Sequence, residues 1–160
     1  MLTDDSYLPG VQVLSYTLRE HNNKMPLVVL VSQDTSKVHR ATIIQLYKLP
    51  NLVIKMVPPI ANPHESEQIR QEIEASGKPT PSWFGSAYTK LHIWQLTEYS
   101  QVFYIDADCM IMGLVENIFK QFAECDFAAS PDVFPPDHLN AGVLLVRPSM
   151  SVFFTLLRKS

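Results

Sequence analysis

Two cysteines in 160 residues cannot build a disulfide framework. Cys109 and Cys125 are also too far apart for a CxxC zinc or redox pair, so both are expected as free, largely buried thiols in a reducing compartment. Positive charge is equally scarce: 13 basic against 16 acidic residues give a net charge of -3, without the polybasic field that phosphate-backbone binding needs. Nucleic acid is therefore excluded as a partner. The longest apolar run near the start, Leu27 to Val31, falls far short of the roughly 18 residues that span a bilayer. Acidic residues also stand where a signal peptide would carry basic ones. No membrane contact and a cytoplasmic location follow as expectations; a Golgi or secretory signal would have to lie upstream of Met1. No GxGxxG follows an early strand, which disfavours a dinucleotide-binding dehydrogenase, and no HxxxH or HxH spacing supports a zinc site.

What is present is one domain's worth of chain, 46% hydrophobic and 18% charged, enough to bury roughly 70% of its unfolded surface. Pro26 to Val31 is a continuous valine-rich run that reads as a strand covered on both faces, followed by a helical stretch bearing Val38, Ala41, Ile43, Ile44 and Tyr47. Before it, Pro9-Gly10 opens a helix with Val11, Leu14 and Leu18 on one side. Leu52 to Val57 is a second strand, and Gln101 to Ile105, Asp126 to Ala129 and Gly142 to Val146 supply three more. Helices are expected over 65–74, Gly85 to Glu98 and Met150 to Leu157, the first of them strongly polar and set in a proline-rich excursion, Pro58 to Pro81, that suits a lid. This alternation predicts an α/β fold with a mainly parallel sheet flanked by helices. The chain begins with almost nothing before its first turn and stops at Ser160 within an amphipathic run, so both ends read as cut and residues 1–160 as a partial domain.

Chemistry concentrates at Asp106-Ala107-Asp108, immediately after an apolar strand. Open parallel sheets bind ligands at the carboxyl ends of their strands. If the tripeptide is extended, both carboxylates reach one side, and their hard oxygens suit Mg²⁺ or Mn²⁺ bridging a diphosphate without completing a cage. A solvated strand-end turn with two acids fits the same residues. Lys90, on the preceding helix, either places a compact positive charge near phosphates or simply faces solvent. His92 reads as a packed or hydrogen-bonded histidine, and Asp126 as structural. Asn140-Ala141-Gly142, ahead of the last strand, offers an amide beside a closely approachable backbone, suited to sugar hydroxyls or to an ordinary turn. The loop from Pro131 to Asp137 either lines an acceptor cleft or crosses the surface.

Taken in order, Thr89-Lys90-Leu91-His92, Tyr104-Ile105-Asp106-Ala107-Asp108 and Leu139-Asn140-Ala141-Gly142-Val143 resemble glycosyltransferase family 8, the glycogenin-like enzymes. The likeness extends to Leu2-Thr3-Asp4-Asp5-Ser6-Tyr7, Gly10 and Leu14, covering nearly the whole chain. It implies a Rossmann-like GT-A domain, Mn²⁺ with Mg²⁺ as substitute, and transfer of a hexosyl group from a nucleotide-sugar, usually a UDP-sugar, with retention. The acceptor would be a carbohydrate, polyol or protein, and a homodimer stays open. Residue by residue, the resemblance makes Asp106 and Asp108 the metal pair, with Asp106 also near the ribose and Ala107 offering backbone contacts. Thr3, Asp4 and Tyr7 match the first nucleotide-contacting loop, with Asp4 where glycogenin has asparagine. Lys90 matches a lysine near the donor, Asp132 an aspartate beside it, and these two stand in catalytic positions. Asn140, Ala141 and Gly142 fall beside the donor sugar, with Ala141 in place of a serine.

The resemblance also implies segments without counterpart before Ser160: a Gly-Asp-Gln stretch with donor contacts, and a His-x-x-Gly-x-x-Lys stretch with a metal-binding histidine. The first strand of such a domain would precede Met1; without it, strand edges and apolar area are expected to be exposed. A retaining glycosyltransferase is thus the leading expectation, and a non-catalytic nucleotide- or carbohydrate-binding fragment the alternative.

Overall fold

Alternating side chains on the first strand decide how the two sides of the molecule are covered. In the computed structural model, which describes residues 1–61, 71, 75–77, 87–133 and 138–159, β1 is Leu27–Ser32. Val29 and Val31 point into one cluster with Leu2, Leu8, Val11, Val38, Leu46 and Ala107. Leu30, between them, joins an opposite cluster with Val57, Ile93, Trp94, Leu96, Tyr104, Leu144, Val146 and Phe153. This is the two-residue period of a strand buried on both faces.

The first cluster is roofed by α1 (Leu8–Glu20) and α2 (Arg40–Leu46). Helix α1 carries Pro9 in its first turn, where a missing N–H costs nothing, and buries Leu8, Val11 and Leu14. In α2 the anchors are Thr42 and Leu46, four residues apart, while Ile44 and the following Tyr47 are exposed. The second cluster is closed by a 3₁₀ segment, Ala87–Gln95, and by the C-terminal helix Met150–Lys159. The sequence pattern leads to an α-helix over Gly85 to Glu98. The described part is 3₁₀ instead, and it buries Thr89, His92, Ile93 and Trp94.

β2 (Leu52–Val57) pairs with β1 in parallel, Leu27 opposite Leu52 and Ser32 opposite Val57. The other edge of β1 holds one parallel bridge, Leu2 to Val31, made by Leu2 N donating to Leu30 O and Ser32 N to Leu2 O. β3 (Val102–Ile105), β4 (Phe127–Pro131) and β5 (Leu139–Val146) form a second sheet in the order β3-β5-β4. The α/β class holds, but among the described residues parallel pairing is confined to the first sheet; both ladders of the second are antiparallel. The connections account for the difference. β1 and β2 are joined through α2, whereas β4 and β5 are joined by the short stretch 132–138, which is enough for antiparallel neighbours but too short for a parallel crossover.

Between the two sheets lies an apolar cavity of about 170 Å³. Leu27 to Leu30 of β1 and Val102 to Ile105 of β3 line it from opposite sides, with Val11 and Leu14 of α1 above. The polar helix expected over 65–74 lies, apart from Gln71, outside the described residues, as do 78–86 and 134–137 of the proline-rich loops. Both cysteines are free but half-buried rather than buried. Among the described residues no helix is long and apolar enough to cross a membrane.

Candidate functional site

Where β3 ends, the backbone N–H of Asp106 donates to Gly142 O at 2.8 Å, so the ladder with β5 carries one step past Ile105 and fixes the start of Asp106-Ala107-Asp108. Ala107 turns into the apolar cluster beneath α1, while Asp106 and Asp108 both line an open pocket of about 240 Å³. Thr3, Tyr7, Ala87, Lys90 and Tyr104 complete much of the wall.

Two groups hold the Asp106 carboxylate. The Tyr104 hydroxyl donates to Oδ1. Lys90 Nζ lies 3.4 Å from each carboxylate oxygen, donates to Ala141 O at 3.2 Å, and sits 5.4 Å from the centre of the Tyr104 ring. The lysine side chain is only 19% exposed and the aspartate 35%, so this ion pair is less screened than an ordinary surface pair. Burial pushes the Tyr104 phenol well above its ordinary range, and the Asp106 charge adds to the shift, so the hydroxyl remains a donor. The Cys109 thiol is raised by desolvation and by Asp108 and Asp106.

Glycines set two clearances around this turn. A β-carbon on Gly10 would stand 1.8 Å from Ala107 O, so α1 approaches the turn as closely as it does only because residue 10 has no side chain. A β-carbon on Gly142 would meet Asp106 Oδ2 at 3.1 Å and Asn140 Oδ1 at 2.9 Å.

The family profile for glycosyl transferase family 8 matches residues 1–149. The chain belongs to glycosyltransferase family 8. It is 30% identical to glycogenin of Komagataella phaffii over 98% of its own length and 37% of that protein's. It is 29% identical to inositol phosphorylceramide glucuronosyltransferase 1 of Arabidopsis thaliana, over 99% of the chain and 26% of the relative. Human glycogenin-2 is also 29% identical, over 99% of the chain and 28% of its own length. The chain thus spans between about a quarter and two fifths of these family 8 relatives.

Of the residues singled out from the sequence, Thr3, Tyr7, Lys90, Asp106, Ala107 and Asp108 meet around this pocket. Asp4 and Asp132 do not line it. Asp4 Oδ1 accepts from Ser6 N at 2.8 Å and caps the 3₁₀ turn Asp5–Tyr7, and Asp132 Oδ1 accepts from Val133 N at 2.7 Å. Asn140, Ala141 and Gly142 lie inside β5 rather than before it. Ala129 pairs with Leu144 but the next residue, Ser130, pairs with Asn140, so Ala141, Gly142 and Val143 bulge from the β4 ladder. That bulge turns Ala141 O to Lys90 and Gly142 O to Asp106 N. His92 is buried and hydrogen-bonded as expected, with Pro58 O 2.9 Å from Nε2 and the Phe153 ring stacked on it. Asp126 accepts from Arg147 Nε at 2.7 Å on the surface, a structural pairing.

Tyr104 is the residue missed in the sequence. It reads there as one more apolar strand position, and only the fold shows that its hydroxyl ends on Asp106. No group of three or more histidine, cysteine, aspartate or glutamate side chains converges among the described residues. The donor set present is two carboxylates in one pocket beside hydroxyls. Hard oxygens fit a divalent cation such as Mn²⁺ or Mg²⁺, but only as part of a shell completed by other oxygens.

Proposed function

We propose that the chain is the donor-binding part of a retaining glycosyltransferase that moves a hexosyl group from a UDP-sugar to an acceptor in the cytoplasm. The observation that carries the reading is the pocket itself: two carboxylates and one lysine at the carboxyl end of a strand, roofed by the first loop of a family 8 chain. Asp106 and Asp108 would hold Mn²⁺ or Mg²⁺, which when bound supplies positive charge to the diphosphate. Ordinary ligand pockets run from about 300 Å³ upward; the space here suits the diphosphate end of a donor rather than the whole of it. Thr3 and Tyr7, with Asp4 beside them, are assigned to the nucleotide. Asn140-Ala141-Gly142, on the neighbouring strand β5, and Asp132, just past β4, are assigned to the sugar side.

Cleavage of the bond from C1 to the diphosphate leaves negative charge on the departing oxygen. Lys90 is held by Ala141 O and the Tyr104 ring at the rim of that space, so its ammonium is already oriented when the charge develops. Preorganised groups of this kind commonly account for factors of about 10² to 10³ in rate. The acceptor is a hydroxyl-bearing carbohydrate, polyol or protein, a class in keeping with relatives named glycogenin and inositol phosphorylceramide glucuronosyltransferase.

Calorimetric titration of UDP with and without Mn²⁺ tests the reading. Binding that needs the metal and disappears in Asp106→Asn supports it. Metal-independent binding that survives the substitution favours a nucleotide- or carbohydrate-binding protein without catalysis, and absence of binding by the full-length protein overturns both.

A further inference from the structure

Asp106 is flanked by Tyr104, which has no assigned role, and by Gly142, whose closeness to the carboxylate is a second feature of the site. Tyr104 is buried in the cluster shared by the two sheets, along with Leu144, Val146 and Phe153. Its ring therefore has little freedom, and its hydroxyl, which lines the pocket, donates to Asp106 Oδ1. The residue two places before an aspartate on an extended strand projects to the same side, so the contact follows from strand geometry. Beside the other oxygen, Oδ2, Lys90 Nζ stands 3.4 Å away, and the β5 wall carries no side chain at Gly142. Gly142 lies so near that a methyl group there would be 3.1 Å from Asp106 Oδ2, while Gly142 O already accepts from Asp106 N at 2.8 Å.

We propose that Tyr104 is a positioning residue for the metal-binding carboxylate: its hydroxyl fixes the rotamer of Asp106 through Oδ1, and Gly142 keeps the space beside Oδ2 clear. The inference rests on the reading of Asp106 as a metal ligand. A carboxylate on a short side chain at a strand end has several rotamers of similar energy, and holding one of them before the cation arrives removes an ordering cost from binding. Partners of this sort typically contribute about 10- to 100-fold to metal affinity. Tyr104 gives that anchor a rigid base, since it rises from the packed interior, unlike Lys90, whose long chain reaches Asp106 across a 3.4 Å gap.

The test is Mn²⁺ affinity of the full-length protein, counted from free Mn²⁺ by electron paramagnetic resonance in the absence of nucleotide, for the wild type, Tyr104→Phe and Gly142→Ala. Tyr104→Phe keeps the ring beneath Lys90 and removes only the hydroxyl. An approximately tenfold weaker affinity with an unchanged unfolding temperature supports the proposal, and the same direction in Gly142→Ala supports the second half independently. Affinity within twofold of wild type in a folded Tyr104→Phe overturns it. Should that variant fail to fold, Gly142→Ala decides: Mn²⁺ binding at wild-type strength overturns the shared claim that Asp106 must be held in place. A wild-type protein that binds no Mn²⁺ overturns instead the reading of the site, so the two failures are distinguishable.

Discussion

Three donors converge on the carboxylate of Asp5. Thr42 Oγ1 donates to Oδ1 at 2.6 Å, His39 N donates to the same oxygen at 3.0 Å, and the His39 ring meets Oδ2. Together they fasten the start of α2 to the first loop of the site. The Thr42 hydrogen bond and then those from His39 hold the Asp5 carboxyl down at about 2. A depressed acid contributes stability that is complete above its unfolded value near 3.8 and is lost as pH falls toward the folded one. Between pH 4 and 2 the fastening should therefore weaken. Carboxyl NMR is expected to show Asp5 titrating near 2 in the wild type and closer to 3.8 in Thr42→Val; an Asp5 that already titrates near 3.8 would contradict the arrangement. None of this was visible in the sequence, because the partners are separated by more than thirty positions. Asp106 and Asp108 were visible, since their position after an apolar strand is itself the signal, whereas the role of Tyr104 depends on which way one hydroxyl points.

At the scale of elements, the sequence pattern locates each run that becomes a strand and misjudges some of the edges. Asn140, Ala141 and Gly142 read as a turn before a strand but extend it, because their backbone is needed by Asp106 and Lys90 across the site. The segment from Ala87 is 3₁₀ where the apolar pattern reads as an α-helix, since periods of 3.0 and 3.6 are hard to separate over nine residues. Gly10 makes the sharpest prediction here. Replacing glycine by alanine inside a helix ordinarily stabilises by about 1 kcal/mol. In α1 the added methyl would collide with Ala107 O, so Gly10→Ala should destabilise instead, by about 1 to 3 kcal/mol as for other overpacked sites. It should also displace Asp106 and Asp108 and weaken nucleotide binding. Urea unfolding checks the sign, and a more stable variant with intact binding would show that α1 does not press on the turn.

Across the whole molecule, the described strands form two separate ladders that share one apolar cluster, and the cavity between them is walled by β1 and β3. The composition foretold a core of ordinary size and the family a Rossmann-like order; neither specified the antiparallel ladders of the second sheet, of which the β4–β5 one follows from a short connection. The site stands at the join of the two halves: Thr3 and Tyr7 come from the chain beside the first sheet, Asp106 and Asp108 from the second, and Lys90 from the segment between them. Whether that convergence handles a nucleotide-sugar is tested most directly by turnover. The full-length protein should release or transfer sugar from a UDP-sugar in the presence of Mn²⁺, and Asp106→Asn or Asp108→Asn should lower the rate at least a hundredfold while leaving the protein folded. Wild-type rates in either folded variant, or no turnover of any UDP-sugar by the wild type, would contradict the assignment.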